Sequence, residues 1–255
     1  MKGFWEPHTS SIDFCEENYR FTFYVAELLN SVSSLPITAA GIWAWTMTPP
    51  VYRCKMRFAL CWVAFIAIGL GSALFHATLR RPAQALDEVP MVLANLVFVY
   101  CMHRPEGEWR LRFAACLSAS GVLLVLVYVV FEFYAVFFVM YGAVVVYLAV
   151  HSGVVSFTDS PTPNACVLRR VWKLSFGFYG LGFCLWVVDN VVCSKLGVGH
   201  LHIAWHFLAC MGTMLFVLLL IAITADAESA RVALELRGGV MPYLVVGGSS
   251  PKKVS

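Results

Sequence analysis

Apolar stretches of membrane-spanning length alternate with short polar connections along most of this chain. About 20 consecutive apolar residues are needed to cross a bilayer as a helix. On that criterion the pattern predicts seven spanning helices, at 22–45, 58–79, 86–103, 113–131, 136–151, 172–193 and 202–225. Pro49-Pro50, Pro105 with Gly107, and Pro161 with Pro163 punctuate three of the connections. Between 131 and 135 there is room for little more than a turn. After Asp226 the segment DAESARVALELR reads as a further helix, stopped by Gly238-Gly239. The expected fold class is therefore an all-α integral membrane protein. It divides into a lumenal N-terminal segment (1–21), a seven-helix transmembrane domain (22–225) and a cytosolic tail (226–255).

Composition agrees with this pattern. Of the 255 residues 60% are hydrophobic and 13% charged, and the mean hydropathy is +0.76. Soluble domains carry about twice that share of charge. The net charge of +3 is small and scattered, which argues against a nucleic-acid partner. Met1 to Arg20 carry Glu6, Asp13, Glu16, Glu17 and Asn18 rather than a basic region followed by an apolar one, so no cleaved signal is expected.

The distribution of basic residues does more than their total. Five of the 18 (Lys2, Arg20, Arg80, Arg81, Lys195) fall on the N-terminal side of the predicted membrane. The other thirteen fall on the opposite side, which orients the N-terminus to the lumen and the C-terminus to the cytosol. The chain ends KKVS, matching a dilysine retrieval signal read by cytosolic coat proteins. That points to the endoplasmic reticulum, with the Golgi as the alternative.

Ionisable groups inside spans are costly and mark function by default. Ser72 and His76 lie four apart at the end of the second span, and His202 and His206 four apart at the start of the seventh. Each pair shares one helical face. Asp87 and Glu88 stand at the mouth of the third span. The alternation of spans brings all of these to one membrane side. Three imidazoles with one open position suit a catalytic zinc. A lone transmembrane histidine is usually a packing residue, and paired ones also ligate haem, but two ligands four apart on one helix fit one metal ion better.

Two further clusters are less specific. Asp13, Phe14, Cys15, Glu16, Glu17 and Asn18, with Glu27 inside the first span, offer hard oxygen ligands, though without the spacing of an EF-hand. An acidic segment of this kind is ordinarily solvated, but Glu27 in an apolar helix needs a cation or a partner. Asp189, in WVVDN, could accept from the ring of a ligand histidine or cap the following loop. Cys15 and Cys193 both fall at the oxidising surface, and a disulfide between them is expected.

In these residues the sequence resembles the alkaline ceramidases, a seven-span family within a superfamily that includes the adiponectin receptors. The matching stretches are WEPHTSSIDFCEENY, YVAELLNSVSSLP, GLGSALFHATL, LDEVPM, VMYG, LWVVDN and LHIAWH, spread over residues 5–206. The resemblance implies catalytic zinc on His76, His202 and His206, with Ser72 steadying the oxyanion and Asp87 acting on the nucleophilic water. It also implies a structural or regulatory calcium on Asp13, the Phe14 carbonyl, Glu16, Asn18 and Glu27. Phe14 stands where relatives are expected to have Trp, a change that a backbone ligand tolerates. The implied activity is hydrolysis of the ceramide amide bond to a sphingoid base and a free fatty acid. A lipid-sensing receptor with little turnover is the alternative. Beyond Asp226 no resemblance is evident.

Overall fold

The computed structural model describes residues 2–103, 107–131, 134–158, 162–196 and 200–247, the side chains of 107, 108, 136 and 193–196 aside. Eight helices run in chain order: α1 (Leu28–Met47), α2 (Pro50–Arg53), α3 (Met56–Thr78), α4 (Arg81–His103), α5 (Gly107–Phe131), α6 (Tyr134–Thr158), α7 (Ala165–Leu196) and α8 (Leu201–Ala227). Two strands follow, β1 (Arg231–Arg237) and β2 (Met241–Gly247). Six of these helices, α3 to α8, are long and apolar enough to cross a membrane. The 20-residue α1 falls outside that set among the described residues. Its Asn30, Ser33 and Ser34 are buried, so its polar side chains face the bundle interior.

α1 packs against α3 and α8, α3 against α4, and α7 against α8. The innermost helix is α8, whose stretch from Met214 to Ala225 is almost entirely buried. By contrast α5 and α6 present Leu123, Leu126, Val130, Val146 and Val150 outward, as lipid-facing helices do. One close approach decides where the site lies. A Cβ on Gly71 would stand 2.0 Å from the Leu86 carbonyl oxygen, so only glycine lets α3 and α4 meet at that level. Gly71 is the neighbour of Ser72, and Leu86 is the neighbour of Asp87. The contact therefore draws those two side chains into one region.

Several boundaries differ from those expected. The first helix begins at Leu28 rather than 22, because residues 21–27 run alongside α3, with Ala26 and Glu27 N–H donating to the Ala77 and His76 carbonyls. α4 begins at Arg81 rather than 86, so Asp87 and Glu88 lie within the helix, not at its mouth. α6 extends to Thr158, and α7 runs from Ala165 to Leu196.

The expected tail helix is overturned. Past α8 the chain forms an antiparallel hairpin, pairing Val232 with Val246 and Leu234 with Leu244. Gly238 and Gly239 adopt φ of 62° and 73° in its turn. Helix-forming Ala, Glu and Leu dominate this segment, but Val232 and Leu234 turn inward while Arg231, Ala233 and Glu235 face out. Val232 and Leu244 bury against the core, and that period-two fit overrides propensity. Asn164 fastens the hairpin, donating to Asp226 Oδ1 (2.7 Å) and the Ala230 carbonyl (2.8 Å) and accepting from Val232 N–H (2.9 Å). The KKVS end lies outside the described residues.

Candidate metal centre and active site

His76 from the last turn of α3 meets His202 and His206 from the first turns of α8. All three are buried, at 1%, 3% and 3% exposure. One ring nitrogen from each lies within 4.8 Å of the others. The sequence placed the three imidazoles at similar depth, and the fold brings them together.

α1 orients two of the rings. The Nδ1 of His76 lies 2.6 Å from Glu27 Oε2, and the Nδ1 of His206 lies 2.7 Å from Ser33 Oγ. Ser33 Oγ donates its own proton to the Asn30 carbonyl at 3.0 Å, so towards His206 it can only accept. Both rings are thereby held as Nδ1–H tautomers with the Nε2 lone pair free. The third ring has no such partner: His202 Nδ1 is buried and unpaired. Two oriented imidazoles and one with an orphaned buried nitrogen suit a single borderline-soft metal ion.

Sequence reasoning missed Ser33 and assigned Glu27 to a different ion. The signal was present in YVAELLNSVSSLP. Glu27, Asn30, Ser33 and Ser34 recur at spacings of three and four, which sets them on one helical face. Ser34 Oγ stands 2.8 Å from the Asn30 carbonyl and 3.0 Å from Ser72 Oγ, which links the same face to the expected oxyanion group.

Ser72, Asp87, His202 and His206 all line one cavity of about 170 Å³ between α3, α4, α6, α7 and α8. Its remaining wall is largely apolar, with Phe65, Phe98, Phe137, Phe183 and Trp205 among the contributors. Phe14 closes one side, its ring centroid 3.9 Å from that of His202 and 5.0 Å from that of His76. The sequence reading used only the backbone of Phe14, whereas its ring walls the metal centre.

The acidic N-terminal segment is folded against this site. Glu16 accepts from Leu29 N–H (2.7 Å) and Asn30 N–H (2.8 Å), satisfying two orphan amides in the first turn of α1. Burial pushes the Glu16 carboxyl above its ordinary value, partly opposed by those two amides. Glu27 Oε1 accepts from Phe14 N–H at 3.2 Å, and its Oε2 also takes Asn30 Nδ2 at 3.1 Å. The Asp13 carboxyl lies within hydrogen-bond reach of Glu27. Asn18 Nδ2 donates to Asp13 at 3.3 and 3.4 Å, while its Oδ1 is buried without a partner. The five expected calcium residues are thus neighbours, although Glu16 and Glu27 also serve α1 and His76.

Among the described residues Asp189 makes no hydrogen bond to an imidazole. It accepts from His202 N–H (3.3 Å) and from Cys15 N–H (3.4 Å), capping the start of α8 from α7 and tying down the N-terminal segment. Cys15 is disulfide-bonded, whereas the side chain of Cys193, its expected partner, lies outside the described residues. Away from this site His103 and His151 stack at 5.1 Å between ring centroids. Tyr147 Oη is 2.5 Å from His103 Nε2.

The chain is similar in sequence to known proteins. The family model described as Ceramidase matches residues 6–244, so the match runs on into the hairpin, beyond the limit that the sequence stretches suggested. Alkaline ceramidase 3 of Mus musculus is 32% identical over 242 residues, covering 85% of this chain and 85% of that protein. An alkaline ceramidase of Arabidopsis thaliana is 25% identical over 253 residues, covering 96% of each. Alkaline ceramidase 1 of Homo sapiens is 24% identical over 246 residues, covering 93% of this chain and 91% of that protein.

Proposed function

The chain belongs to the ceramidase family, and on that premise we propose that it hydrolyses the amide bond of ceramides, releasing a sphingoid base and a free fatty acid. The observation that carries this reading is the buried cluster of His76, His202 and His206 at the wall of an apolar cavity that also holds Ser72 and Asp87. Zinc held by the three imidazoles would supply Lewis acidity to water and to the amide carbonyl. Asp87 accepts the proton of the attacking water and returns it to the leaving amine. Ser72 donates to the carbonyl oxygen as charge develops there. Glu27 and Ser33 keep the His76 and His206 rings turned to the metal. The apolar walls take the lipid chains and exclude bulk water.

Around this core we count α1 as a seventh span. Its 20 residues reach about 30 Å, the thickness of a hydrocarbon core. The five-to-thirteen division of basic residues then places the N-terminus in the lumen and the C-terminus in the cytosol. A calcium ion belongs among Asp13, the Phe14 carbonyl, Glu16, Asn18 and Glu27. The convergence of three carboxyls with the unpartnered Asn18 Oδ1 supports it. Cys15 pairs with Cys193 in this reading.

The test is release of sphingoid base from ceramides by the purified chain and by His206→Ala. Release by the native chain alone is expected. Equal release by both would end the histidine-centred mechanism.

A further inference from the structure

The cavity is lined by a buried donor that the proposed chemistry leaves unused. α4 lines it with Asp87, Met91, Asn95 and Phe98. Asp87, Met91 and Asn95 are spaced by four and so form one stripe down the helix. Met91 and Phe98 are apolar, as a lipid-chain wall should be, but Asn95 is not. It is 6% exposed, and its Nδ2 is buried with no hydrogen-bond partner.

Other polar groups at the walls differ from it: Glu88, also on α4, takes Gln84 Nε2 at 2.9 Å through Oε1 and leaves its Oε2, an acceptor, without a partner. Tyr141 Oη and Tyr179 Oη bond each other at 2.6 Å, and Ser175 donates to the Gly212 carbonyl at 2.8 Å. Asn95 and Tyr141 also share a small side cavity of about 30 Å³, otherwise lined by apolar side chains and Tyr128. A buried amide donor left unpaired is costly, and a folded chain keeps such a group where something else satisfies it.

We propose that Asn95 is a specificity-determining residue that selects lipid amides carrying a mid-chain hydroxyl oxygen. The inference rests on the lipid-amide reading above and adds to it. Its position sets the location of the oxygen. Asn95 lies eight residues, or about 12 Å of helix rise, beyond Asp87. An extended chain advances by at most ~3.6 Å per three bonds. The oxygen therefore sits roughly ten bonds from the scissile carbonyl. Asn95 Nδ2 donates to it, and apolar walls on either side take the methylenes. A chain without the oxygen leaves the donor unpaired, and this difference is what the site reads.

The experiment uses the purified full chain and its Asn95→Leu variant, similar in volume but without the amide. Three ceramides of equal chain length are compared: one unsubstituted, one with a hydroxyl at about the tenth acyl carbon, and one with the hydroxyl at the corresponding position of the sphingoid chain. The native chain should favour one of the hydroxylated ceramides by about tenfold in kcat/KM. Asn95→Leu should erase that preference and cleave the unsubstituted ceramide at least as fast as the native chain. The arm that is favoured identifies which lipid chain occupies the α4 wall.

Equal hydrolysis of all three by the native chain would overturn the inference, with an ordered water as the amide's partner. So would a preference that survives in Asn95→Leu. Should that variant not accumulate in folded form, Asn95→Ala removes the donor altogether and is read in the same way. Hydrolysis of none of the three by the native chain would strike the lipid-amide reading itself, and the inference with it. That result is distinct from equal hydrolysis of all three.

Discussion

Ser33→Ala isolates the support of the metal centre from the centre itself. The substitution removes one oxygen, the atom 2.7 Å from His206 Nδ1 and 3.0 Å from the Asn30 carbonyl. Ser33 is buried, so water does not readily replace it. The imidazole keeps its Nδ1–H with nothing to accept it, which costs about 1–3 kcal/mol. At 1.4 kcal/mol per decade, that corresponds to roughly a 5- to 150-fold loss in binding. Loss of such supporting partners costs 10–100-fold in metal affinity at other sites, so the two arguments converge on the same range. Zinc affinity of the detergent-purified variant, measured by competition with a chromogenic chelator, should fall accordingly. Ser34→Ala is the control. It loses contacts to the Asn30 carbonyl and Ser72 but touches no imidazole, so its zinc affinity should match the native chain. An unchanged affinity in Ser33→Ala would refute the claim that α1 orients the ring.

Three other outcomes follow from named contacts. Gly71→Ala would place its Cβ 2.0 Å from the Leu86 carbonyl oxygen, forcing α3 and α4 apart at a cost of about 1–3 kcal/mol or more. Thermal unfolding should show a lower Tm than Gly142→Ala, where nothing lies within 4 Å. Glu27→Ala should lower Tm and hydrolysis together and remove any calcium-dependent rise in Tm; native melting that ignores calcium would refute the calcium site. Glu228, outside the spans, is pushed up by burial but held below its usual range on balance by Lys55 (2.5 Å) and Tyr52 (3.0 Å). A lowered carboxylate stabilises the fold above its unfolded pKa and loses that contribution as the pH falls through its folded pKa. The native chain should therefore melt slightly above Glu228→Gln at neutral pH. The gap should begin to shrink as the pH drops below the ordinary carboxylate value of ~4.3 and vanish below the lowered folded value. Both partners are partly exposed, so the gap is small; one that persisted in acid would exclude this pair as its cause.

Helix positions were the most legible feature of the chain, because a bilayer demands long apolar runs and little else mimics them. The ends were less so. Hydropathy starts a helix at its first apolar residues, and that placed the third span at 86. The helix in fact begins with Arg81-Pro82, where a proline needs no intrahelical partner. Tail residues 226–237 were misread for a related reason. DAESARVALELR is rich in helix formers, and nothing local reveals that Asn164, more than sixty residues earlier, stands ready to bind Val232 and fix an extended strand.

The metal site shows where such reading reaches its limit. His202 and His206 announce themselves by spacing, since a helix alone brings i and i+4 together, and Ser72 with His76 does the same. Glu27 is visible as a charge in an apolar helix, but its histidine partner is not, and the resemblance assigned it to calcium alone. Only the packing of α1 against both α3 and α8 shows that one polar stripe serves His76 and His206 at once. The same stripe explains why α1, unlike α3 to α8, falls short of the apolar character of a spanning helix. Asn30, Ser33 and Ser34 lower its hydropathy, yet each is buried among partners rather than exposed to lipid. A helix built this way gains its place from neighbours and not from its own hydropathy. The close contact at Gly69, where a Cβ would stand 2.5 Å from Thr38 Oγ1, is what those neighbours supply. Its marginal hydropathy and its role in orienting the histidines therefore have one cause.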